Sequence, residues 1–105
     1  MDTLENNYDS IEKLIYEDGL RIEAIDFHPE LDIMLVILNT KAVLHQKISS
    51  YTHLKNASIE KLLHYELVAK GTGVHWESLN EDLSLKGFLR DELRNAIRLK
   101  SEAAA

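Results

Sequence analysis

The chain contains no cysteine, one proline, one tryptophan and four glycines in 105 residues. Without cysteine there is no disulfide framework, no thiolate nucleophile and no cysteine-based zinc site, which makes a reducing cytoplasm the expected compartment. Long hydrophobic runs are also missing. The longest, Ile33 to Leu38, is six residues, against the ~20 that a membrane-spanning helix requires. The opening MDTLENNYDS is acidic and polar, unlike a secretory signal or a basic transit peptide. Positive charge is the scarcer sign: 12 Lys and Arg stand against 18 Asp and Glu, a net -6, which argues against general affinity for phosphate backbones. Catalytic signatures are absent as well. There is no His-Glu-x-x-His, no Gly-x-Ser-x-Gly and no phosphate-binding loop with its lysine. His28, His45, His53 and His64 have no metal-ligand spacing. The expectation is a non-enzyme with no catalytic, cofactor-binding or metal-binding residues.

What is present is an ordinary globular composition, 45% hydrophobic and 29% charged, in a chain short enough for one domain over residues 1–105. A first helix is predicted over about residues 10–18. Asp9 and Glu12 have capping-box spacing, Ile11, Leu14 and Ile15 share a face, and Gly19 ends the helix. "RIEAIDF" reads as a strand whose alternation shifts between Ala24 and Ile25, as at a bulge, and His28-Pro29-Glu30 breaks it.

"LDIMLVILN" is apolar on both sides. Leu31, Ile33, Leu35 and Ile37 fall on one face, expected to face inward, and Met34, Val36 and Leu38 on the other. Such a strand is either covered on both faces or offers one to a partner. Met34, Val36 and Leu38 are therefore the expected partner-binding face. Asn39-Thr40 fits a hairpin because Asn tolerates a left-handed backbone. "KAVLHQKI" returns with Ala42, Leu44 and Ile48 inward. A short helix capped by Asn56 or Ser58 buries Ile59, Leu62 and Leu63. "HYELVAK" and "VHW" are further strands, separated by a turn at Gly71-Thr72-Gly73.

The last helix, about residues 85–100 with Asp82 or Ser84 as its cap, places Phe88, Leu89, Leu93, Ala96, Ile97 and Leu99 on one half of its circumference. Gly87 weakens its first turn and is expected to mark a break. Arg90, Arg94 and Arg98 line up beside the apolar half. Residues 1–82 hold 15 acids and 7 bases, and residues 83–105 hold 3 acids and 5 bases. An acidic body with a mildly basic last helix suits a basic protein partner better than DNA. The predicted fold is α+β: a mostly antiparallel sheet of four or five strands with N-terminal, middle and C-terminal helices packed on it.

Asn56-Ala57 opening the middle helix, Gly71-x-Gly73, Val74-His75-Trp76, Leu79, Glu81-Asp82-Leu83-Ser84, Gly87 and Leu89 together resemble a bacterial family catalogued as domain of unknown function 2442. The resemblance spans about residues 20–90 and implies a small α+β fold without settled biochemistry. Some members carry an appended helix-turn-helix and others lie beside small toxin-like genes, so an antitoxin or regulatory adaptor is what the resemblance implies. Asn80 and Glu77 depart from the usual Asp and Pro.

Adjacent strand residues face opposite ways, so His75 and Trp76 are expected to do different structural jobs. Trp76 anchors the core against the last helix, and His75 hydrogen-bonds the acidic loop. Glu77, Glu81 and Asp82 beside His75 have the composition of a cation site but no calcium-loop spacing; Asp82 or Ser84 acting as a helix cap accounts for them more simply. The expected function is a non-catalytic protein-interaction module, antitoxin-like or accessory. Its partner would be a small basic toxin-like protein or a second copy, with nucleic acid disfavoured and no role for a membrane. The alternative is a DNA-binding regulator using Arg90, Arg94 and Arg98; third comes a small metal-dependent enzyme at His75, Glu81 and Asp82.

Overall fold

The structure is a computed structural model that describes the backbone of residues 8–104 and the side chains of residues 8–97. Helix α1 (Ser10–Tyr16) begins at the predicted capping box: Asp9 accepts from the Glu12 amide and Glu12 accepts from the Asp9 amide. Ile15 is its buried residue, while Leu14 stays exposed.

Strands β1 (Ile22–His28), β2 (Ile33–Leu38) and β3 (Val43–Lys47) form one antiparallel sheet in that order. The β1 bulge sits at Glu23, between Ile22 and Ala24. The extra residue allows Ile22, Ile25 and Phe27 all to point into the core, which strict alternation would forbid. A 3-10 turn at Pro29–Leu31, closed by left-handed Asp32, joins β1 to β2. In the β2–β3 hairpin the left-handed residue is Lys41, not Asn39. Asn39 is instead a clamp: its side chain accepts from the Arg21 amide and donates to the Gly19 carbonyl.

After β3 the chain turns away through a 3-10 turn at Ile48–Ser50 and forms α2 (Ile59–Leu63), capped by Ser58. Leu62 is buried there, but Ile59 and Leu63 are exposed. Strands β4 (Glu66–Val68), β5 (Gly73–Trp76) and β6 (Glu81–Ser84) form a second antiparallel sheet. The expected single sheet is thus two three-stranded sheets. Glu81–Ser84, read as an acidic lead-in to the last helix, is itself a strand, because the four residues after Trp76 close a hairpin with Asn80 in the left-handed region.

Helix α3 (Leu85–Ala104) follows directly. It runs through Gly87 without the expected break. The Ser84 hydroxyl accepts from the Gly87 amide, so Ser84 and not Asp82 is the cap. A Cβ at Gly87 would lie 3.2 Å from that hydroxyl, a tight contact that glycine avoids.

The core lies between the sheets and is plugged by the helices. Met34, Val36, Leu38, Ile25 and Phe27 from the first sheet meet Val74 and Trp76 from the second, with Leu62, Leu85 and Phe88 from α2 and α3. Among the described residues Gln46 is the buried polar one. Its amide donates to the Phe88 carbonyl and its oxygen accepts from the Tyr51 hydroxyl. Among the described residues no helix is long and apolar enough to cross a membrane.

Candidate functional site

Strand alternation separates His75 from Trp76. Trp76 is fully buried, and its indole N–H donates to the Leu62 carbonyl at 3.0 Å. It meets Phe27 edge-on with ring centroids 6.3 Å apart, and Tyr65 at 6.5 Å. Its indole hydrogen bond therefore goes to the end of α2, while its ring shares the core with Phe27 of the first sheet and with Leu85 and Phe88 of the last helix. That single donor satisfies one of the carbonyls a short helix leaves open.

His75 points to the opposite face, between Glu66 on β4 and Asp82 on β6 in register. Its Nδ1 lies 2.6 Å from Asp82 and its Nε2 2.8 Å from Glu77. These two carboxylates, Glu77 first, favour the imidazolium and raise the His75 pKa above its ordinary value. Both ring nitrogens are engaged, so neither offers a lone pair to a metal. Glu81 is paired with Trp76, one register step from the Asp82–His75 pair, which puts it on the other side of the pleat. The expected cation set of His75, Glu81 and Asp82 is not assembled, and among the described residues no group of three or more His, Asp or Glu is placed to hold a metal ion.

Asn80, the departure from the usual Asp, is the left-handed corner of the β5–β6 turn. Its carbonyl lies 2.9 Å from His53 Nδ1, which ties the turn to the segment after β3. Asn tolerates that backbone well. Gly71 also has a steric reason: at φ 89°, an added Cβ would approach the Ile22 carbonyl to 3.0 Å. The His-Trp block and its glycines thus join the second sheet to the first.

A further surface is the outer face of the first sheet. Met34 and Val36 are 0% exposed and Leu38 2%, which overturns the expectation that these three form the outward, partner-binding face. Ile33, Leu35 and Ile37 point outward instead. Each is partly exposed and belongs neither to the core cluster nor to the residues packed against it. Ala24 and Val43 flank Ile37, and Asp26 and His45 flank Leu35. At the far end Leu31, 70% exposed, joins Ile33, His45 and Lys47 in an open groove of about 860 Å³ bounded across from them by Asp91 and Arg94 of α3.

Of the arginine line, Arg90 and Arg94 are exposed, and Arg94 lies 3.6 Å from Asp91 of its own helix. The side chains of Arg98 and Leu99 lie outside the described residues. Phe88 is buried and Leu89 partly so, but Leu93, Ala96 and Ile97 are exposed, so the expected apolar half of the helix reaches the core only in its first turns.

A family model described as "Protein of unknown function (DUF2442)" matches residues 22–93. No match was found among curated proteins. Two solved structures are similar. A solution NMR structure of an uncharacterized protein from Chromobacterium violaceum is 26% identical, with a TM-score of 0.64 over 88% of this chain and 84% of that one. A crystal structure of a protein of unknown function from Rhodospirillum rubrum is also 26% identical, with a TM-score of 0.61 over 70% of this chain and 88% of that one.

Proposed function

We propose, from the premise that the chain belongs to the DUF2442 family of proteins of unknown function, that it is a non-catalytic protein-interaction module. The observation that carries this reading is the outward aliphatic row Ile33, Leu35 and Ile37 in the middle strand of a sheet, left partly exposed beside an open groove. Three aliphatic neighbours at a sheet centre are unfavourable in water and favourable under a partner. The antitoxin-like or accessory role in the cytoplasm is the narrower form of the same proposal. An acidic body, with 15 acids to 7 bases over residues 1–82, suits a small basic partner through electrostatic steering.

Arg90 and Arg94 support the DNA-binding alternative only weakly, since Asp91 and Glu92 interleave with them on a chain of net -6. Affinity capture of the tagged protein from its host, followed by cross-linking, tests the proposal. A stoichiometric protein cross-linked to the Ile33–Ile37 face, and lost with Leu35→Asp, is the expected result. Unchanged recovery with Leu35→Asp, or a gel shift that requires Arg90 and Arg94, refutes it.

A further inference from the structure

The outward side chains of the first sheet form a three-by-three array. Ala24, Ile37 and Val43 occupy one level, Asp26, Leu35 and His45 the next, and His28, Ile33 and Lys47 the last. The middle column is aliphatic. The β1 column is acidic in character, because Asp26 lies 2.9 Å and Glu30 3.7 Å from the His28 ring. The β3 column carries His45 and Lys47. Apolar centre, acid on one side and base on the other is a pattern that can be complementary to itself.

Symmetry decides how. For two such faces stacked on one another, a two-fold axis parallel to β2 lays β1 of one copy over β3 of the other at the same level. Ala24 then meets the partner's Val43, and Asp26 meets the partner's His45. The carboxylates around His28 meet the partner's Lys47, and the aliphatic rows close on each other. A two-fold axis across the strands would instead stack Asp26 on the partner's Asp26, which like-charge repulsion disfavours.

Each outer edge of this sheet already has one amide engaged by a side chain. At the outer edge of β3, Glu92 accepts from the His45 amide at 3.1 Å; at the outer edge of β1, the Tyr65 hydroxyl accepts from the Ile25 amide at 3.0 Å. Strand addition would have to displace those side chains, whereas the face is open without any such exchange. Aligned face-to-face packing of two sheets is an ordinary arrangement, and a two-fold contact uses the same patch on both subunits.

We infer that the outer face of β1–β2–β3 is the interface of a two-fold homodimer, with Leu35 at its centre and Asp26 facing the partner's His45; this rests on the reading of that face as a contact surface. Light scattering and sedimentation of the purified protein test it. The wild type runs at twice the chain mass. Leu35→Asp, which brings two carboxylates together at the centre, weakens association roughly a hundredfold or more while the circular dichroism spectrum is retained. Asp26→Lys weakens it roughly fivefold to thirtyfold, because the symmetry repeats the lost pair twice. Asp26→Lys combined with His45→Asp restores it. That exchange also decides the matter should Leu35→Asp fail to fold.

A wild type that stays monomeric at every attainable concentration overturns the inference, as does a dimer indifferent to both charge variants. A monomer whose Leu35 face still captures a different protein overturns the homodimer and leaves the interaction reading standing. A monomer whose capture ignores Leu35 removes both.

Discussion

An alanine walk along β2 tests whether the two faces of the strand are assigned correctly. Met34, Val36 and Leu38 are at most 2% exposed, whereas Ile33, Leu35 and Ile37 are partly exposed and outside the core cluster. Met34→Ala and Leu38→Ala each fall in the range of about 2–5 kcal/mol for buried large-to-small changes. Val36→Ala removes two methyl groups at roughly 0.8 kcal/mol each and adds about 24 cal/mol for every Å³ of cavity that does not collapse, roughly 2–3 kcal/mol together. The outward three cost roughly 1 kcal/mol each, since they already contact water. Urea unfolding followed by circular dichroism reads this directly. At a slope near 1.5 kcal/mol/M, Val36→Ala lowers the midpoint by roughly 1.5–2 M, and its neighbours by less than half as much. The profile should alternate residue by residue. Its concentration dependence should alternate too: binding stabilises by mass action, so the deficit of the outward variants grows with protein concentration and that of the inward variants does not. A flat profile, or one with its large losses at Ile33, Leu35 and Ile37, refutes the assignment.

Trp76→Phe removes the indole donor to the Leu62 carbonyl and leaves a small void, for an expected loss of roughly 2–3 kcal/mol with no change in partner capture; lost capture in a variant of unchanged stability would move Trp76 to the binding surface. The His75 pKa is raised by Glu77 and Asp82, so its stabilising contribution is fully present below the unfolded value of about 6.5 and disappears as pH rises through the folded value. An NMR titration should place the folded pKa above 6.5, and His75→Gln should flatten the fall of unfolding midpoint with pH over that window; a His75 titrating at or below 6.5 contradicts the clamp.

Much of the fold was legible because its signals are local. The Asp9–Glu12 capping box, the Ser58 cap and the period of the strands each depend on residues within one turn or one hairpin of each other. The division into two sheets was not legible. It depends on whether the chain after Lys47 returns to the edge of β3, and that edge is taken by Glu92, 47 residues away. The acidic Glu81–Ser84 stretch concealed a strand for a related reason. Its partner β5 is only four residues long, and the turn between them relies on Asn80 adopting a left-handed backbone, a signal weaker than Gly in that place.

The outward face shows where sequence periodicity stops. Alternation sorts Ile33 to Leu38 into two sets of three, but both sets are aliphatic, so nothing within β2 says which set is inside. The neighbours hold the answer. Across β2, the side that includes Asp26, His28, His45 and Lys47 cannot be the core without burying charge, and the side that includes Ile25, Phe27, Leu44 and Gln46 can. Gln46 is the exception that fits, because the Phe88 carbonyl and the Tyr51 hydroxyl satisfy both ends of its amide. Register with β1 and β3 therefore orients β2, and the same polar flank that keeps the outer face from being core gives it the charged borders a docking surface needs. Inside and outside of this strand are thus set by residues on either side of it, and so is the choice of what can cover it.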